Sequence, residues 1–457
     1  MGLNTRCLFL FIFLFCHSLK SIAQVLTIQD AIEASFSHYP TLQAKQMALE
    51  ANKANITVVR DNRLPNVRLH DQINIGTANG ISGSYFSLGL IVPTSGGRRS
   101  ENRADLASGN IALASMDWEV YNFGRFEAEQ QLAQTDIAVG ESDLERAKFG
   151  LRQAVINTYL DLLWLQKHLK IEQMNIARID TINRIITNLV RNGIKPGLDS
   201  SLVRVQVSKA KMSYWQVYEN YQQALIQLST LTGHSADKIK IDTTFRLTNF
   251  AASPAVALLS EHPLLRYHEA VARKQSAEIS LLHKSALPRL SLLTAAWTRG
   301  SSIDVENNYG PLMPGLLYSK ANVLVGAAFT VNLTDFRRAN HRIQLQEYRV
   351  KETKNLLANE RLNLQNAQMA ADSVLSVLKL ELQELPRALQ AANAAYNQRL
   401  SRYNNGLENI LGLTDAVQVL RSVEKDYIVT QSRAIRIHLQ RAYATNDFES
   451  FFTLFRH

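Results

Sequence analysis

Hydrophobic residues between Arg125 and Arg191 recur in alternating steps of four and three. The series runs Leu151, Val155, Thr158, Leu162, Leu165, Leu169, Glu172, Ile176, Ile179, Asn183, Ile186 and Val190, and nine of these twelve are apolar. That spacing marks a coiled-coil seam rather than the broader face of a globular helix. A second stripe, Ile171, Met174, Ile182, Ile185 and Leu189, lies beside it. Two neighbouring seams predict partners on two sides, as in a wall of helices. The segment holds no proline. A helix of this length rises roughly 100 Å, so the sequence predicts an elongated molecule.

The pattern returns from about Arg338 to Tyr403, where Ala371, Leu375, Leu378, Leu382, Leu385 and Leu389 keep the same step. Pro386 falls inside this seam, and its missing backbone donor predicts a kink or a break. Each long segment ends in Asn-Gly, at Asn192-Gly193 and Asn405-Gly406, residues suited to a left-handed helix cap. After the first, Pro196-Gly197 blocks continuation, and Asp199 or Ser200 is placed to cap the next helix. Two helical hairpins are expected.

Shorter segments alternate with period two. Val67, Leu69, Ile73 and Ile75 alternate with polar residues, as do Ala112 to Val120 and Val323 to Leu333; Leu290 to Thr298 is weaker. Such segments fit tilted membrane strands and fit a half-buried soluble sheet equally well. Asp71 on the apolar face counts slightly against the membrane. Phe86 to Val92 also alternates and competes as the second strand. Four strands cannot close a useful barrel alone; the sheet stays open or several subunits pool strands.

The chain is written twice. Pro40 and Pro65 stand 25 residues apart, as do Pro263 and Pro288; Arg125 to Gly193 and Arg338 to Gly406 are both 68. Only the middle differs, by ten residues within the Gly/Ser-rich stretch between Gly76 and Asn110. Repeats at 24–235 and 236–457 are expected, each reading helix, strand, loop, strand, long helix, turn, helix.

Residues 1–23 read as a secretory signal peptide. Arg6 precedes the apolar run Cys7 to Cys16, and Ser21-Ile22-Ala23 offers a cleavage site. Its removal lowers the formal net charge from +10 to +8, since it takes Arg6 and Lys20 and no acid, and it also removes both cysteines. No disulfide framework or thiolate metal site is then expected. No later apolar run approaches twenty residues, so a membrane span must be a closed β-barrel.

This layout resembles the TolC-like outer-membrane efflux protein family over roughly residues 26–447. The likeness rests on His38-Tyr39-Pro40-Thr41-Leu42 and His262-Pro263-Leu264-Leu265. It rests also on Trp118 to Arg125, which leads into the long helix, and on the Gly193 and Gly406 tips. The resemblance implies a mainly α fold with β, a TolC-like channel-tunnel of long coiled-coil helices. Four strands per chain would contribute to a trimeric 12-stranded β-barrel, with a mixed α/β belt near Asp237 to Phe250 and the C-terminal tail. It implies a passive export conduit in the outer membrane, in contact with its lipid and with a long periplasmic portion. The conduit would serve a tripartite efflux or type I secretion system. The implied partners are two sister chains, a periplasmic adaptor (membrane fusion) protein and an inner-membrane pump of RND, ABC or MFS type. Adaptor docking would fall on Asn192, Gly193, Ile194, Asn405, Gly406 and Leu407. Gly412 stands where the first tip has Asp199, which puts a matching acidic contact in doubt. In a threefold tunnel each charged residue becomes a ring of three, so Arg191, Lys195, Asp199, Arg402 and Glu408 are candidate periplasmic gate residues.

Motifs for catalysis, phosphate binding and metal ligation are missing, which predicts no enzyme and no cofactor. His38, His262 and His268 are expected as helix-start or surface residues, and Gly96-Gly97-Arg98-Arg99 as an exposed loop. The basic charge shows no aromatic-interleaved patch for nucleic acid. The rival reading is a periplasmic coiled-coil scaffold with a soluble β end.

Overall fold

The computed structural model describes residues 25–80, 98–245 and 261–455. The signal segment, Phe86 to Val92, Gly96-Gly97 and the end of the Asp237–Phe250 belt lie outside the described residues. The first half runs α1 (Ile28–His38), α2 (Pro40–Asp61), β1 (Asn66–Gly76), β2 (Ala107–Tyr121), α3 (Arg125–Arg191) and α4 (Gly197–Thr232). The second runs α5 (Pro263–Ser285), β3 (Arg289–Ser301), β4 (Lys320–Thr330), α6 (Leu333–Asn404), α7 (Ile410–Thr445) and the short α8 (Phe448–Phe452).

The limits of α3 are those expected from the sequence, 67 residues in one helix. Three local expectations are corrected. The fourth strand stops at Thr330, and α6 starts at Leu333 rather than Arg338. Asn332 makes the difference, because its Oδ1 accepts from Thr334 Oγ1 at 2.8 Å and from Thr334 N at 3.3 Å. This cap turns the chain into a helix while the apolar alternation still runs. The helix after the first tip starts at Gly197, with extended Pro196 as its N-cap residue, so neither Asp199 nor Ser200 caps it. Proline fixes the φ of that position, and Asp199 falls in the first turn, where its charge suits the helix dipole. Finally, of the kink or break expected at Pro386, the break is absent: α6 runs from Leu333 to Asn404 as one helix. One lost backbone bond is outweighed where Ala371, Leu375 and Leu378 are buried along the same helix.

The chain forms two compact units. One takes residues up to Leu49, Gly140–Glu269 and Lys354 onward; the other takes Glu50–Val139 and Ala270–Thr353. In the first, Phe149, Ile156, Tyr159 and Leu163 of α3 pack with Leu228 of α4, Ile435 and Leu439 of α7, and Phe448 and Phe451 at the C-terminal end. A single parallel bridge joins Leu26 to Ile241. The Tyr159 hydroxyl donates to the Leu26 carbonyl at 2.8 Å and accepts from Asp242 N at 3.0 Å. Burial pushes that phenol's pKa far up, so it stays protonated and keeps the bridge in place.

The second unit holds an antiparallel meander in the order β1-β2-β3-β4. Its register places Leu69, Ala114, Ala296 and Val323 in one cross-strand row, and Val67, Met116, Thr294 and Val325 in the next row on the same face. Asp71 shares this face, and its carboxylate accepts a hydrogen bond from the Tyr318 hydroxyl at 3.0 Å.

Candidate functional site at the helical tips

Both long helices end in the same way. At the first tip Gly193 N donates to the Val190 carbonyl at 3.0 Å, and Ile194 N to the Leu189 carbonyl at 2.9 Å. At the second, Gly406 N donates to the Tyr403 carbonyl at 3.1 Å, and Leu407 N to the Arg402 carbonyl at 2.9 Å. These are Schellman caps, and they need a left-handed residue, with φ of 72° at Gly193 and 73° at Gly406. A Cβ at either glycine would meet nothing within 4 Å. Backbone conformation, not crowding, therefore selects glycine here.

The caps place matching side chains. Ile194 and Leu198 at one tip, Leu407 and Leu411 at the other, are exposed aliphatic pairs four residues apart. Beneath them the two hairpins share a buried cluster: Ile182 and Ile186 of α3, Val203 and Ala210 of α4, Tyr403 of α6, and Leu413 and Val417 of α7. The structure therefore brings both predicted tips together on one packed foundation.

The predicted charged residues separate. Glu408 accepts from Arg399 Nη1 at 2.7 Å, with Arg402 Nε at 3.6 Å, so Arg402 and Glu408 do meet. A Cβ at Gly412 would lie 2.6 Å from Glu408 Oε1. Gly412 thus leaves room for the Glu408 carboxylate. Lys195 Nζ lies 5.3 Å from the centre of the Tyr403 ring. Burial, and then the charge of Asp199, pushes the Tyr403 phenol up to about 12. Arg191, Asn192 and Asn405 are exposed.

Sequence reasoning missed the polar ties that join α3 to α7 above the tips. Glu172 is 1% exposed, and its Oε1 accepts from Arg421 Nη2 at 2.7 Å and lies 3.4 Å from His168 Nε2. Arg178 donates to Glu424 at 2.5 Å, and Arg436 to Asp161 at 2.5 Å. A signal was present, since Thr158, Glu172 and Asn183 are the three polar members of the α3 seam. Burial alone would raise the Glu172 pKa, but the His168 and Arg421 groups beside it outweigh burial and hold it below the ordinary value.

His262 opens α5 as expected but is buried rather than at the surface. Its Nε2 stands 3.0 Å from the Tyr443 carbonyl, and burial lowers its pKa. Among the described residues no group of three His, Cys, Asp or Glu is arranged to hold a metal, and no helix is long and apolar enough to cross a membrane.

Residues 31–234 match the family model described as Outer membrane efflux protein. Over 339 residues the chain is 22% identical to the pyoverdine export outer membrane protein OpmQ of Pseudomonas aeruginosa, covering 72% of this chain and 67% of that protein. The structure superposes on VceC, an outer membrane protein of Vibrio cholerae, with a TM-score of 0.72 at 16% identity, over 92% of this chain and 95% of the other. It superposes on CmeC, an outer membrane channel of Campylobacter jejuni, with a TM-score of 0.73 at 13% identity, over 92% and 85%. The fold is the TolC-like one, with long paired helices and a four-stranded antiparallel sheet. The chain is thus similar to outer membrane efflux proteins over residues 31–234 and shares the fold of VceC and CmeC over 92% of its length.

Proposed function

We propose that the protein is an outer-membrane efflux channel, a homotrimeric passive conduit. The observation that carries this reading is the sheet. Among the described residues its edge strands β1 and β4 are each paired on one side only, and apolar side chains on one face stand in the open, with Leu69 80% and Val323 77% exposed. An open apolar sheet with free edges is a liability in water and a requirement in a lipid-embedded barrel. Strands of 11 residues rise about 36 Å and, tilted by 45°, cover about 26 Å of apolar band. In a four-stranded meander the edges run in opposite directions, so β4 of one copy can pair with β1 of the next, and three copies give twelve strands.

The helices support the same assembly. On α4, Val203, Ala210, Val217 and Ala224 are buried every seventh residue, while Leu198, Leu202, Val205, Met212 and Ile226 form an exposed second seam. On α6, Leu362, Met369 and Leu380 are likewise exposed. We assign these seams to sister chains. The tips at Asn192-Gly193-Ile194 and Asn405-Gly406-Leu407 are then the docking points for a periplasmic adaptor, which links the channel to an inner-membrane pump. Arg191, Lys195, Asp199, Arg402 and Glu408 are the gate candidates of the same end. The pair of Arg402 with Glu408 within one chain supports a latch at the second tip.

The test is reconstitution of the mature protein into planar bilayers, together with its migration in unheated detergent gels. Single-channel steps and a heat-sensitive trimer band are expected; a monomer that forms no channel overturns the reading. If Asp199→Ala and Arg402→Ala both leave conductance unchanged, neither residue belongs to the gate.

A further inference from the structure

The α4 helix carries an aromatic stripe, of which Tyr221 packs against the core while Trp215 and Tyr218 stand exposed. Number its heptad so that Val203, Ala210, Val217 and Ala224 are a. The exposed second seam then occupies c (Leu198, Val205, Met212, Ile226) and g (Leu202). Tyr214 and Tyr221 fall at e, Tyr218 at b and Trp215 at f, on the remaining side of the helix. Their rings touch in series. Tyr214 lies 5.2 Å from Trp215, edge to face, and 6.2 Å from Tyr218, stacked. Trp215 lies 5.7 Å from Tyr218, and Tyr218 stacks on Tyr221 at 6.3 Å. Trp215 is 61% exposed.

In a closed ring of helices, two lateral seams divide each helix into a narrow arc toward the lumen and a wide arc away from it. Here the wide arc is the one through b and f, where Lys211, Trp215 and Tyr218 are exposed, so that part of the stripe faces the surroundings of the tunnel. Four linked rings span seven helical steps, about 10 Å of helix, the reach of two sugar rings. Arg204 and Lys211 share the b position with Tyr218, and the e, b and f positions from Ser200 to Ser229 carry no acid. Flat apolar ring faces suit the C–H faces of pyranose sugars, and the flanking cations suit carboxylates. The polymer that combines amino-sugar rings with carboxylate-bearing peptides in the periplasm is the cell-wall glycan.

We infer that the Tyr214–Trp215–Tyr218–Tyr221 stripe, with Arg204 and Lys211, is a docking site for peptidoglycan strands that cross the channel's outer wall. This rests on the channel reading, which places α4 in the periplasm.

The experiment is co-sedimentation of the detergent-solubilised full mature protein with purified sacculi, with trimer migration and conductance measured on the same preparations. Wild type is expected in the pellet, and soluble muropeptides from muramidase digestion are expected to release it. Trp215→Ala with Tyr218→Ala should lower the bound fraction about tenfold while trimer and conductance persist. Lys211→Glu should weaken binding in the same direction. If the double variant fails to assemble, Trp215→Gln alone and the muropeptide competition with wild type decide the matter. Failure of wild type to pellet, no competition by muropeptides, or unchanged binding by an assembled variant overturns the site. Loss of adaptor binding with sacculus binding intact reassigns the stripe to the adaptor and overturns it as well. A protein that pellets but neither trimerises nor conducts refutes the channel reading instead.

Discussion

Glu172 shows how a single side chain constrains a helix wall. It is an acid in a coiled-coil seam, held by Arg421 on a helix far away in sequence. Removing one partner of a buried pair leaves the other uncompensated, which costs about 3–5 kcal/mol. Glu172→Ala should therefore lower the thermal transition of the purified protein, followed by circular dichroism at neutral pH. The pH dependence has a definite sign. Because the folded-state pKa lies below the ordinary carboxyl value of 4.5, the pair adds stability above that value and loses it as acid protonates the folded form. Wild type should show an acid limb below about pH 4.5, and the alanine variant a shallower one. An equally steep limb in the variant would assign it to other carboxylates.

Elements were legible from the sequence in proportion to how local their causes are. The body of α3 is written in its heptads and its end in Asn192-Gly193, and the two Schellman caps follow from glycine alone. The beginning of α6 was not legible from hydrophobic alternation, because a side-chain cap at Asn332 overrides it. The partners of Glu172 were not legible either, because they depend on the rotation of α7 against α3. The tips fall between these cases. Their backbone was readable, but the pairing of Glu408 with Arg399 and Arg402 needed the fold around it. At Pro386 the helix tolerates a residue that costs about 3 kcal/mol in a helix interior. Pro386→Ala should raise the thermal transition while the channel still conducts; a lowered transition would show that the proline shapes a needed bend.

For the whole molecule, assembly turns on faces that the single chain leaves uncovered. Val325→Arg places a charge on the exposed apolar face of β4. If that face meets lipid near the membrane midplane, the substitution costs about 2–4 kcal/mol and the heat-sensitive trimer band should fade. Should the band persist at wild-type intensity, this face does not meet lipid. Met212→Glu tests the second seam of α4 in the same assay, and loss of trimer without loss of helical signal is the expected result.

The opposite directions of β1 and β4 carry one more implication. A joint that runs from one border of the sheet to the other border of the next copy is head-to-tail, so it satisfies pairing in a ring of any size and equally in an endless ribbon. In the proposed trimer hydrogen bonding would therefore not set the number of copies; the angle at which neighbouring helices meet would. Damage to that angle should yield rings of the wrong number or growing polymers before it yields free single chains.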